Sequence, residues 1–182
     1  MATPTGFEES ALVVLRGNSG SGKSTVARSL REGLGRGIAI IGQDVVRRDI
    51  LREKDVPGGT NIGLLDTMVR YSLDHGYHVI LEGILDAGRY GDMLNQLGED
   101  HRGTTTFWYW DLSFETTLQR HLTKPVAGEF GEPEMRSWFL RRDLLPAADE
   151  HVFDDRCTKD QAVDLILRVS GLAATPPALH PR

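Results

Sequence analysis

Residues Gly17-Asn18-Ser19-Gly20-Ser21-Gly22-Lys23-Ser24-Thr25 constrain this chain more than any other segment. They fit the pattern G-x-x-x-x-G-K-[ST] at every fixed position. An apolar run, Ala11-Leu12-Val13-Val14-Leu15, comes just before, and a helical pattern runs from Gly22 to about Leu34. Strand, glycine loop, helix is the setting in which this pattern binds phosphate. A polyphosphate needs many donors at close range. Backbone N–H groups of a tight loop supply them if side chains stay clear, which is what Gly17, Gly20 and Gly22 allow. The helix start adds N–H groups and a positive dipole end. Lys23 is expected to reach the β- and γ-phosphates, and the Ser24 hydroxyl to ligate Mg²⁺.

Around this loop, apolar runs and helical patterns alternate, which points to a parallel sheet with helices on both faces. The predicted strands are Ala11 to Arg16, Ile38 to Ile41, His78 to Leu81, Thr105 to Trp110 and a short His151 to Phe153. Helices are predicted over Val45 to about Lys54, Asn61 to about His75-Gly76, Arg89 to Leu97, Phe114 to Leu122 with Ser113 as N-cap, Glu134 to Leu145, and Asp160 to Val169. Asp55 to Thr60 and Thr123 to Pro133 read as loops. The chain of 182 residues is expected to form one domain over 1–171, with a disordered tail over 172–182 that carries Pro176, Pro177 and Pro181.

The net charge of −5 gives no basic surplus for nucleic acid or an anionic membrane. Cys157 is the only cysteine, which suits a reducing, cytoplasmic setting. The N-terminus lacks the basic start and apolar stretch of a secretion signal, and no apolar run approaches spanning length. The histidines show no metal-ligand spacing, which argues against structural zinc.

In open parallel sheets, ligands sit outside the carboxyl ends of the strands. Three predicted strands end there in carboxylates: Asp44 after the second, Glu82 and then Asp86 after the third, and Asp111 after the fourth. Asp44 is the candidate to orient an acceptor hydroxyl and take its proton. Its structural alternative is a helix N-cap. Glu82 is the candidate to hold a magnesium-bound water; its alternative is an ion pair at the sheet edge. Asp86 reads first as a turn former and Asp111 as structural. Arg47 and Arg48 follow Asp44 closely enough to reach an anionic acceptor. Arg120 and Lys124 enter the Pro/Gly loop, and Arg136, Arg141 and Arg142 leave it. Arginines flanking a closing loop can neutralise charge on a transferring phosphoryl group; Arg120 and Arg136 are the first choices. Trp108, Tyr109 and Trp110 lie in a predicted buried strand and read as core.

With these residues in hand, the chain resembles a small P-loop kinase. It is similar to the group containing gluconate kinase, shikimate kinase, chloramphenicol phosphotransferase and the zeta-toxin kinases. The resemblance rests on Gly17 to Thr25, on Gly42-Gln43-Asp44, and on Asp74 to Gly83. It implies a three-layer α/β/α fold with a five-stranded parallel sheet in the order 2-3-1-4-5. It also implies a lid over about 124–133 and adenine near Arg156 to Lys159, with Lys159 in contact with the nucleotide. It implies ATP and Mg²⁺ as cofactors and a small-molecule hydroxyl as acceptor, with Asp44 matching the acidic residue that holds or deprotonates that hydroxyl. Arg47, Arg48 and Glu82, read from their positions, are expected beside Asp44 on the acceptor side. The predicted lid itself carries no arginine, so flanking ones must serve. A zeta-toxin-like nucleotide-sugar kinase is the alternative within the same chemistry. A GTPase switch would need N-K-x-D, where the chain offers Thr158-Lys159-Asp160, and its D-x-x-G strings at Asp55 and Asp100 follow no apolar strand. A transporter-type or motor ATPase would need a signature segment and oligomer surfaces.

Overall fold

A computed structural model describes residues 3–123 and 130–173. The elements in order are β1 (Ala11–Gly17), α1 (Lys23–Leu34), β2 (Ile38–Gly42), α2 (Thr60–Asp74), β3 (His78–Glu82), α3 (Ala87–Asp100), β4 (Thr104–Trp110), α4 (Phe114–Leu122), α5 (Glu132–Ser137), β5 (Glu150–Phe153) and α6 (Lys159–Ser170). The strands form one sheet in the order 2-3-1-4-5, and every pairing is parallel. The fold is therefore the one the alternation and the resemblance imply.

The sheet is buried on both faces, and the strand sequences show why. Every residue of β1 is buried. Alternation sends Val13 and Leu15 to one core with Val26, Leu30 and Ile166, and Leu12 and Val14 to the other with Leu65, Val69 and Leu94. Each such side chain contributes roughly 1.5–3 kcal/mol of burial free energy. Trp108, Tyr109 and Trp110 are core residues as predicted. Trp108 stacks on His151 at 4.3 Å and Trp110 meets Phe153 at 4.8 Å, which anchors the short edge strand β5.

Two helices differ from the sequence pattern. Val45–Ile50 is a π-helical stretch that stops four residues before Lys54. Its wider winding lets Val46 enter the core while Arg47 and Arg48 both turn back onto Asp44. Arg52, at φ +54°, redirects the chain. The second difference is at α5, which ends at Ser137 instead of Leu145. Residues 138–145 form an irregular strap, because Leu140 bonds Asn18 and Asp143 pairs with the buried Arg16. Those tertiary contacts outweigh the local helical preference. Of the predicted lid, 124–129 lie outside the described residues. Leu172, assigned from sequence to the tail, is buried in the core with Ile166; residues 174–182 lie outside the described ones.

Candidate functional site

The glycine loop leaves the end of β1 beside β4, where Gly17 is in register with Trp110. It turns into α1 at Lys23, and no side chain caps that helix. Gly20 lies at φ +81°, and a Cβ there would fall on the Thr117 carbonyl oxygen of α4. Only glycine fits both the backbone and the space. The Lys23 ammonium is buried in the loop and donates to the Gly17 carbonyl at 2.7 Å, the Asn18 carbonyl at 2.8 Å and Ser21 Oγ at 3.0 Å. Three acceptors hold the cation at the centre of the loop, where a polyphosphate would meet it.

Ser24 and Glu82 meet across 58 positions of sequence: Ser24 Oγ donates to Glu82 Oε2 at 3.0 Å. Glu82 is paired with Gly42 in the sheet, and Asp44 follows two residues later. The sheet register thus brings Ser24, Glu82 and the approach to Asp44 to one edge. Two hard oxygen donors at the phosphate loop fit Mg²⁺, which takes one or two protein ligands and completes its shell with water and substrate phosphates. Among the described residues no cluster of three or more His, Cys, Asp or Glu could hold a metal by itself. Asp44 has helical backbone angles and its side chain caps nothing. Instead its exposed carboxylate accepts from Arg47 Nη2 at 2.8 Å and pairs with Arg48 Nε at 3.3 Å. By contrast Asp86 does cap: it accepts from the Arg89 N–H at the start of α3. Asp111 pairs with Arg142 at 3.2 Å.

On the other side of the loop lies a cavity of about 360 Å³. Its walls include Gly22, Val26, Trp110, Arg120, Cys157 and Lys159. Arg120 reaches it from the last turn of α4 and donates to the Ser21 carbonyl at 2.8 Å, so it touches the loop directly. Lys159 opens α6, whose N-terminus is capped by Thr158. Burial pushes the Cys157 thiol up, so it stays protonated near neutral pH. Arg136 is not brought to the loop. It pairs with Glu132 at 2.7 Å, and its guanidinium lies 4.1 Å from the centre of the Phe114 ring. Arg48 lies 5.7 Å from the ring centre of Phe130, a residue that stacks on His121 of α4.

An AAA-domain family model matches residues 12–101, the part that carries the loop, Asp44 and Glu82. No curated protein matches the chain. Solved structures of similar shape include a sugar kinase from Janibacter sp. HTCC2649, with TM-score 0.66 and 19% identity over 91% of this chain and 98% of that one. A gluconokinase from Sinorhizobium meliloti 1021 gives TM-score 0.61 and 17% identity over 92% and 94%. The APS kinase of Mycobacterium tuberculosis, solved with AMPPNP and APS, gives 0.62 and 18% over 91% and 98%. The fold is that of the P-loop kinases. At these identities the likeness is one of architecture, and it extends along nearly the whole of each chain.

Within the P-loop kinase fold, sequence reasoning missed a buried polar hub beside Asp44. The Tyr90 hydroxyl accepts from Gln43 Nε2 at 2.8 Å and Asn61 Nδ2 at 2.7 Å, and donates to Asp55 Oδ1 at 2.7 Å. Asp55 pairs in turn with Arg89 at 2.9 Å. Gln43 Oε1 accepts from the Leu85 N–H, which ties the end of β2 to the loop after β3. Burial first, and the Asp55 carboxylate second, push the Tyr90 phenol up to about 12, so it remains a donor at physiological pH. The only sequence signal was Gln43 standing next to Asp44; nothing local marks Asn61 or Tyr90 as its partners.

Proposed function

We propose that this protein transfers the γ-phosphoryl group of ATP to a hydroxyl of a small molecule. The observation that carries the reading is the Ser24–Glu82 contact beside the Lys23-centred loop, on a sheet edge that also presents Asp44. Gly17 to Thr25 would hold the triphosphate, with Lys23 at the β- and γ-phosphates. Ser24, with Glu82 through water, would hold Mg²⁺, which supplies charge neutralisation on those phosphates. The cavity lined by Arg120, Cys157 and Lys159 would take the nucleoside. The acceptor oxygen attacks the γ-phosphorus as the bond to the bridging oxygen breaks and ADP leaves. Asp44 orients that hydroxyl and takes its proton. Arg47 and Arg48, which now hold Asp44, would also meet an anionic acceptor. Arg120 serves from the lid side, and Arg136 would have to leave Glu132 and Phe114 to join it. A nucleotide-sugar acceptor, as in zeta-toxin-like kinases, uses the same groups. A cytoplasmic location suits this substrate pair; among the described residues no helix is long and apolar enough to cross a membrane.

The test is Asp44→Asn, assayed with whichever acceptor most stimulates ADP release from a panel of sugars, sugar acids, nucleosides, nucleotide sugars and hydroxyl-bearing antibiotics. Turnover is expected to fall roughly 10²-fold or more, the scale of a lost general base, with AMPPNP affinity unchanged. A large loss of AMPPNP affinity would move Asp44 to the metal site instead.

A further inference from the structure

The strap of residues 138–145 is fastened to the junction of β1 and the phosphate loop by two alternate residues. Arg16, fully buried, donates from Nη2 to Asp143 Oδ2 at 3.1 Å and from Nη1 to the Glu150 carboxylate at 2.8 and 2.9 Å. Asn18, 4% exposed, donates from Nδ2 to the Leu140 carbonyl at 2.6 Å and accepts the Leu140 N–H at Oδ1 at 2.8 Å. Gly17 lies between them, at the mouth of the loop. Further along, the Asp143 N–H donates to the Tyr109 hydroxyl, and Arg142, at φ +49°, pairs with Asp111. Phe139 packs edge-on against Phe114. Arg141 follows Leu140, whose backbone Asn18 holds on both its N–H and its carbonyl, and makes no ion pair among the described residues. It lines a cavity of about 490 Å³ with Phe114 and Phe139.

One amide side chain that bonds both backbone groups of a single residue fixes that residue's position and orientation together. Asn18 therefore spends its side chain on the strap. Its backbone remains part of the loop, where its carbonyl receives the Lys23 ammonium. Any rearrangement of the loop around phosphate passes through Asn18 to Leu140 with little slack, and Arg141 is the next residue. We infer that Asn18 is a positioning residue that couples the occupancy of the phosphate loop to the placement of the strap and its arginine. The inference rests on the nucleotide-binding reading above.

Hydrogen exchange at the Leu140 amide tests it, with Mg-AMPPNP as the probe. In the wild type, Mg-AMPPNP is expected to slow that exchange. Asn18→Ala is expected to speed it about fivefold or more in the free protein, the scale of one lost hydrogen bond, with β1 and β4 amides unchanged. With enough Mg-AMPPNP to saturate it, the variant is also expected to lose the nucleotide-dependent slowing. Asn18→Asp, which keeps the acceptor for the Leu140 N–H, is expected to retain part of the slowing. Unchanged Leu140 exchange in free Asn18→Ala would overturn the inference, as would a nucleotide-dependent slowing at Leu140 that persists in the saturated variant. If the wild type binds no AMPPNP, the kinase reading and the coupling fail together. Exchange at Leu140 in the free Asn18→Ala protein then still shows whether the clamp itself exists.

Discussion

Lys23 shows how much one side chain can decide here. Its ammonium rests on two loop carbonyls and the Ser21 hydroxyl at the centre of the glycine loop. Lys23→Met is therefore expected to abolish nearly all turnover while thermal unfolding shifts little; wild-type turnover in a normally folded variant would contradict the role given to the loop. Tyr90 behaves in the opposite way. Its hydroxyl serves three partners in a buried hub, so Tyr90→Phe leaves Gln43, Asn61 and Asp55 each short of a bond. A loss of about 1–3 kcal/mol is expected in denaturant unfolding, because unsatisfied buried polar groups cost that much. AMPPNP affinity should hold, since no hub member touches the loop.

At the scale of elements, the packing of α4 on the glycine loop makes the sharpest demand. Gly20 has left-handed backbone angles and no space for a Cβ beneath the Thr117 carbonyl. Gly20→Val should separate loop from helix and remove AMPPNP binding, which isothermal titration would show; retained binding would mean the loop tolerates a different path. The same scale explains what the sequence made legible. Strands β1 to β4 were readable because central parallel strands are short, continuous apolar runs bounded by turn signals. The loop and Ser24 were readable because that chemistry is local and spaced in a fixed pattern. Glu82 was legible as a strand-end carboxylate, and its contact with Ser24 only through the sheet register. Two features were not legible. The π-helical stretch after Asp44 differs from an α-helix by hydrogen-bond offset, which no apolar periodicity over six residues can distinguish. The strap after Ser137 has helical composition, but its course is set by Arg16 and Asn18, more than 120 residues earlier in the chain. Sequence proximity to the loop marks Arg136 as a lid-side arginine, whereas its partners Glu132 and Phe114 become visible only with α5 in place.

Across the whole molecule, the amino-terminal edge of the central strands, where β1 and β4 begin and remote from the site, carries its own titratable centre. His101 is buried where α3 ends, bonded to Ser10 Oγ and Thr105 Oγ1 at 2.8 Å each. Burial, reinforced by nearby His78, holds its pKa down at about 4, below the usual 6.5. Between those values the unfolded chain binds a proton that the folded chain refuses. Stability is then full above about pH 6.5 and declines as pH falls toward 4. Unfolding curves across that window should show the decline, and His101→Gln should flatten it; an equal slope in the variant would assign the acid sensitivity elsewhere. The opposite edge brings together the loop, Ser24, Glu82 and Asp44, which are proposed to form one phosphoryl-transfer site. The most direct measurement follows the label from γ-labelled ATP and Mg²⁺ incubated with the acceptor panel. A labelled phosphoester of one acceptor class is expected, absent with Lys23→Met. Label released only as inorganic phosphate, whatever acceptor is present, would contradict it.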